Sequence, residues 1–237
     1  MKVFNKNVWF GGQKIVNDFA ERHKVGFCVM PKGLSSLAMP FNASVNRAVP
    51  LSVLSLGSAT KVEDQGSTPQ CAAYSASSYV ESILWRKTGL LPREVDPQSV
   101  YSWAKQHDGD PHGDGTTLVA VLDGLKALGH IGSDCCTRTV MSPFDVKSAI
   151  HRYGFCLLGL NITDEWYRGN RDITSTTARF VGGHAVLCVG YDQEGVWILN
   201  SWGAKWGQGG FAHIGWNAFN RQFMYGAFSG GVYRDMA

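Results

Sequence analysis

The spacing of apolar residues changes as the chain runs. From Cys71 to about residue 153 it is helical, and Tyr74, Ala76, Tyr79, Val80, Ile83 and Leu84 form one face, with Gly89 suited to the stop. Asp96-Pro97 is a cap followed by a first-turn proline, and it opens a helix through about Gln106. Thr116 is placed to cap a helix running to Leu128 ahead of Gly129. Ser142-Pro143 with Asp145 opens another, stopped by Gly154. From residue 155 the runs FCLLGLNIT, HAVLCVGYD, GVWILNS, GFAHI and FMYGAFSGGVY read as strands between Gly-rich turns. Residues 1–48 are less regular. Ile15, Val16, Phe19 and Ala20 keep helical spacing, FCVM at 27–30 reads as a short strand, and 34–50 reads as extended. Helices first and strands later predict an α+β protein of two lobes, with a ligand cleft between them.

Composition narrows the function. The 237 residues are 44% hydrophobic and 17% charged, enough for a substantial core. The net charge of +3 is spread without a Lys/Arg block, which argues against nucleic acid or a membrane surface as partner. No apolar run reaches the roughly 18 residues of a membrane span. The N-terminal MKVFNKNVWFGGQK lacks the apolar centre of a secretory signal. The expectation is a soluble protein whose compartment is open. Of the six cysteines, Cys156 and Cys188 lie in strand-like runs and read as small buried thiols. The pairing of Cys28, Cys135 and Cys136 is open, and the adjacent Cys135-Cys136 is no metal signature.

Cys71 differs from the other five. It stands where a helix begins, behind the turn Gly66-Ser67-Thr68-Pro69, and a helix N-terminus favours thiolate over thiol. Alone, such a cysteine is more often structural. His184 opens an alternating strand after two glycines; alone, it reads as a strand-end histidine satisfied by backbone. The turn Gln193-Glu194-Gly195 makes a hairpin that returns Asn200 towards His184. An Asn oxygen accepting from the imidazole would fix its tautomer, the task of the third member of a triad. Trp202 could cover that bond or simply pack in the core. Gln65, six residues before Cys71, could donate with the Cys71 backbone N–H into an oxyanion hole, or be an ordinary turn residue.

Taken together, QGSTPQCAAYS, GGHAVLCVGYD and ILNSWGAKWGQGGF resemble motifs of the papain family of cysteine peptidases, from about Ala48 to the C-terminus. The order Cys, His, Asn fits, with His184 113 residues after Cys71 and Asn200 16 after His184. The resemblance implies a papain-like fold, with a helical lobe (about 60–153) and a β-barrel-like lobe (about 154–237). It implies Cys71 as nucleophile, His184 as general base and acid, Asn200 as orienter and Gln65 as oxyanion donor, with no metal or cofactor and a peptide or protein as substrate. HGDGTTL at 112–118 resembles the family's Gly-rich cleft wall, so Gly113, Asp114 and Gly115, with Gly183 and Trp202, are the expected substrate-binding residues. The run carrying Asp108, Asp110 and Asp114 is faintly like a calcium loop but lacks its terminal Glu.

The chain departs from the family pattern at three places. Thr68 stands where a disulfide cysteine is usual, Ala72 where a Trp usually follows the nucleophile, and Gly182-Gly183 where larger residues are common. None removes a catalytic group, but the pocket beside His184 is expected to be open. Residues 1–48 precede the peptidase domain (49–237) and correspond in place to an inhibitory propeptide. Their apolar Leu34, Leu37, Met39 and Phe41 are expected to pack on the enzyme, with part of 34–48 near Cys71; a structural extension away from the cleft is the alternative. Two other functions stay open: an amidase or acyltransferase of the same fold, and a catalytically silent binding protein.

Overall fold

A computed structural model describes residues 38–40, 49–90, 92–132, 137–140, 142–223 and 227–230. The helix expected over 15–20, the strand at 27–30, Cys28, Cys135, Cys136 and most of 34–48 lie outside these residues.

Among the described residues, five α-helices run over Cys71–Thr88 (α1), Pro97–His107 (α2), Leu118–Ala127 (α3), Pro143–Tyr153 (α4) and Trp216–Gln222 (α5). The expected caps explain most of their ends. Asp96 accepts from the amides of Gln98 and Ser99, Ser142 accepts from Asp145, and Gly89 and Gly154 close α1 and α4 in the left-handed conformation. One cap moves by a residue: Thr117, not Thr116, accepts from the Ala120 amide. The Thr116 hydroxyl donates instead to Asp108, at 2.8 Å.

Among the described residues nine strands form one sheet: β1 (Ala38–Pro40), β2 (Val53–Leu54), β3 (Thr137–Val140), β4 (Cys156–Thr163), β5 (Asp172–Ile173), β6 (Phe180–Tyr191), β7 (Gly195–Leu199), β8 (Phe211–Gly215) and β9 (Ala227–Gly230). Their order is β1-β3-β9-β4-β6-β7-β8-β5, with β2 also pairing β6. The α+β class is as expected, but the sheet does not close into a barrel. Its end strands, β1 and β5, pair parallel with β3 and β8 and not with each other, so the sheet is open and mixed.

The long strand β6 is buried on both faces, which is why its sequence is almost continuously apolar. Ala185, Leu187 and Val189 join a core with Cys71, Ala72, Tyr79 and Val80 of α1 and with residues of α2 and α3. Val186 and Cys188 join a second core with α4, α5 and three fully buried tryptophans, Trp166, Trp202 and Trp206. The strand therefore carries the seam between the lobes. Among the described residues no helix is long and apolar enough to cross a membrane.

Candidate active site

Cys71 is the first residue of α1. The preceding Gln70 does not cap the helix with its side chain, because its amide is turned towards α2 and donates to Gln98 Oε1 at 2.8 Å. The helices α2, α3 and α4 each receive a side-chain cap and α1 does not. The positive end of α1 is therefore left to act on whatever group stands there. Cys71 itself is only 2% exposed.

His184 lies in β6 and is wholly buried. Its Nε2 is 2.8 Å from Asn200 Oδ1. The amide oxygen accepts, so this nitrogen carries the proton and Nδ1 is the remaining ring nitrogen. Asn200 Oδ1 also accepts from the Ser201 amide at 2.9 Å, which fixes the carboxamide as well as the ring.

A strand irregularity brings these two residues to one face. The pairs of β6 with β7 run Tyr191 with Val196 and Gly190 with Trp197, then step to Cys188 with Ile198 and Leu187 with Leu199, leaving Val189 as the extra residue. Continued by one residue, that register sets Asn200 across from Val186, on the same face as His184. Without the bulge Asn200 would oppose Leu187 and point to the other side of the sheet. The bulge is held from outside, since the Ser55 amide donates to Val189 O at 2.8 Å. A Cβ at Gly190 would come within 2.4 Å of Val53 O, so only glycine lets β2 lie this close.

Aromatic rings enclose the imidazole. Trp202 lies 4.8 Å from it between centroids, and Trp166 meets it edge-on at 5.8 Å. Tyr167 stacks on Trp202 at 5.6 Å. The shell is itself anchored: Trp166 Nε1 donates to Gln222 Oε1 and Trp206 Nε1 to Trp166 O, at 2.8 and 2.9 Å. Trp202 is 1% exposed, a placement that suits covering the His184–Asn200 bond rather than forming an open wall. A hydrogen bond shielded from water is electrostatically stronger.

Gln65 is buried, not a surface turn residue. Its Oε1 accepts from Ser201 Oγ at 2.7 Å and its Nε2 donates to Thr68 O at 2.8 Å. Its backbone amide donates to Ser201 O, and Gly203 N donates to Glu63 O, both at 2.9 Å. The loop before Cys71 is thus stitched to the loop after Asn200.

The loop at 108–116 is braced by hydrogen bonds of its own and by Lys105. Lys105 Nζ reaches Asp108 Oδ2 at 2.9 Å and Gly115 O at 3.0 Å, while the Gly113 amide donates to Asp110 Oδ1 at 3.0 Å. Burial pushes the Asp108 carboxyl up. Lys105, the Asp110 amide and Thr116 outweigh that and hold it below the usual range. Gly115 has φ +81°, and a Cβ on Gly113 would collide with the Asp110 carboxylate. Asp114 is exposed, Gly113 half-buried and Gly115 buried. Both Asp108 oxygens and Asp110 Oδ1 accept hydrogen bonds from Lys105 and from the loop, and among the described residues no group of three or more His, Cys, Asp or Glu could hold a metal ion. Gly183 is buried in β6 opposite Asn161. Gly182 has φ +151° beside the bulge between β4 and β6, a conformation side-chain-bearing residues rarely adopt.

The sequence reading missed Ser201, Trp166, Tyr167 and Trp206. Ser201 could have been suspected from its place beside Asn200; the aromatic residues had no local signal.

A thiol at the open end of a helix, a histidine oriented by a carboxamide and a glutamine held beside the helix start define a papain-like arrangement on a two-lobed α+β scaffold. A family model described as papain family cysteine protease matches residues 137–226. Cathepsin K of Gallus gallus is 30% identical over 191 residues, 68% of this chain and 57% of the relative, so the chain spans less than two thirds of that relative's length. Among solved structures, procathepsin B S9 from Trypanosoma congolense superposes with a TM-score of 0.73 at 16% identity, covering 90% of this chain and 88% of that one. Xylellain, a cysteine protease from Xylella fastidiosa, gives 0.67 at 19% identity, with 87% and 96% covered. These two speak to the fold. In sequence the chain is similar to the papain family of cysteine proteases, and it has a papain-like fold.

Proposed function

We propose that this chain is a cysteine endopeptidase that cleaves peptide bonds through a thioester. Cys71 Sγ attacks the substrate carbonyl, and His184 takes the thiol proton and returns it to the leaving amine. Asn200 holds the imidazole by its Nε2, which leaves Nδ1 for the thiol. Gln65 Nε2 and the Cys71 backbone N–H receive the oxyanion. Water then hydrolyses the thioester, with His184 as base. Gly113, Asp114, Gly115 and Gly183 line the substrate path, and Trp202 shields the His184–Asn200 bond. The observation that carries this reading is that bond, 2.8 Å long and buried among tryptophans, on the strand against which the Cys71 helix packs. A strand-end histidine with only a structural task needs no such carboxamide partner.

Residues 49–237 form the peptidase domain and residues 1–48 hold it latent. Two features support latency: Cys71 and His184 are almost sealed from solvent, and Ala38–Pro40 is docked on the sheet edge. The substrate is a peptide or protein, and the N-terminal segment is an intramolecular partner.

The test is hydrolysis of a fluorogenic peptide amide by the purified chain, with Cys71→Ala as control. Hydrolysis that depends on Cys71 supports the peptidase; turnover that appears only when an amine acceptor is added points to an acyltransferase. Removal of 1–48 should raise the rate, and an unchanged rate with the fold intact rejects latency.

A further inference from the structure

Cys71, Ser75 and Tyr79 follow one another at four-residue steps along α1, on one helix face. The two that follow the thiol each reach out of the helix. Ser75 Oγ donates to Ala185 O at 2.8 Å, and Tyr79 Oη donates to Gly230 O at 2.8 Å. Both side chains are buried, at 3% and 1% exposure. The Ser75 bond is made to the carbonyl of the residue that directly follows His184. It closes a small loop in space, from Cys71 along one turn of α1 to Ser75, across to Ala185 and back one residue to His184. At this level β6 is paired with β4, through Gly159 with Ala185 and Leu160 with His184, while the registered pairs with β7 begin only at Leu187.

We propose that Ser75 is a positioning residue that sets the separation of Cys71 from His184. It touches neither substrate nor reacting atoms. It fixes how α1 sits against β6 at the level of the site, whereas Tyr79 makes a bond of the same kind about 12 Å from Cys71 along the helix axis. A thiolate beside an imidazolium depends steeply on their spacing, so a small slip of helix on strand raises the thiol pKa and lowers that of the imidazole.

The proposal rests on the peptidase reading, and its test separates the two. Cys71 alkylation by iodoacetamide is followed against pH in the full chain, with peptide mapping to assign the adduct, for wild type, Ser75→Ala and Tyr79→Phe. Both variants lose one buried bond to a carbonyl, so a purely structural effect would touch them alike. The expected result is that Ser75→Ala moves the acidic rise of alkylation upward by about one pH unit and narrows the bell of kcat/KM from both sides. Its maximum should fall about tenfold, mostly in kcat. Tyr79→Phe should keep the wild-type profile even if its melting temperature falls. A Ser75→Ala profile that superposes on wild type, or an equal shift in Tyr79→Phe, overturns the positioning role while leaving the peptidase reading intact. A wild-type Cys71 that alkylates only in the range of an ordinary thiol overturns both.

Discussion

Cys71 and the pair Cys156 and Cys188 are about equally hidden from solvent, at 2%, 0% and 0% exposure, and none of the three is in a disulfide. Their surroundings are opposite. Cys156 and Cys188 face each other across β4 and β6 with apolar side chains around them. Burial drives the Cys188 thiol up to about 12, partly opposed by a backbone hydrogen bond with Gly190, and it also lifts Cys156 well above the ordinary thiol value, with Cys188 adding to it. Cys71 stands at the uncapped start of an 18-residue helix, next to a loop fastened to the Asn200 segment. Exposure alone therefore does not distinguish the proposed nucleophile from the other two thiols. What distinguishes it is its place at a helix N-terminus on a core shared with the strand that carries an oriented imidazole.

The largest effect that tests this contrast is on turnover. Cys71→Ala should abolish peptide hydrolysis, a loss on the order of 10⁵-fold or more, while Cys188→Ala should leave kcat within about twofold. Steady-state kinetics on the two variants decides it, and comparable losses would dissolve the distinction. Next come the groups around Cys71. Gln65→Ala should lower kcat on the order of 100-fold by removing one oxyanion donor. Asn200→Ala should cost at least as much by freeing the imidazole.

Much of this contrast was legible in the chain. The helix starts were readable because Asp96 and Ser142 carry side-chain caps, and the four proposed catalytic positions because their residue types and order form a known constellation. The bulge at Val189 was not readable. An extra residue in a strand apolar on both faces leaves no break in alternation, yet it decides which side of the sheet Asn200 meets. Short strands such as β3 and β5, and the seven-residue α5, were missed because so few residues carry no period. The closed barrel expected of the β lobe depends on whether distant strand ends meet, which local pattern does not encode. Ser201 was hidden because its role is defined by Gln65, 136 residues away.

Smaller effects concern stability. Removing the Cys188 sulfur leaves a small void and should cost about 1 kcal/mol, readable as a lower denaturation midpoint with the slope unchanged. Ionisation gives a sign as well. A thiol raised from 9.0 to about 12 on folding favours the folded state below pH 9, and that contribution is lost as pH climbs towards 12. Wild type should therefore lose stability between pH 9 and 12 more steeply than Cys188→Ala; parallel curves would show that the thiol ionises freely in the fold. Smallest is Glu81, where burial raises the carboxyl above 4.5 while the Val95 amide opposes. Its ionisation costs stability as pH rises past 4.5, so Glu81→Gln should raise the melting temperature slightly at pH 7 and not at pH 4.

The most direct measurement is to trap the covalent intermediate. A small peptide ester mixed with the full chain and quenched in acid should leave its acyl group on Cys71, found by mass spectrometry of the digested protein. Cys156 and Cys188 should be unmodified, and the adduct absent in Cys71→Ala. Ester turnover with no acyl group on Cys71, or with the adduct on another residue, would contradict the account.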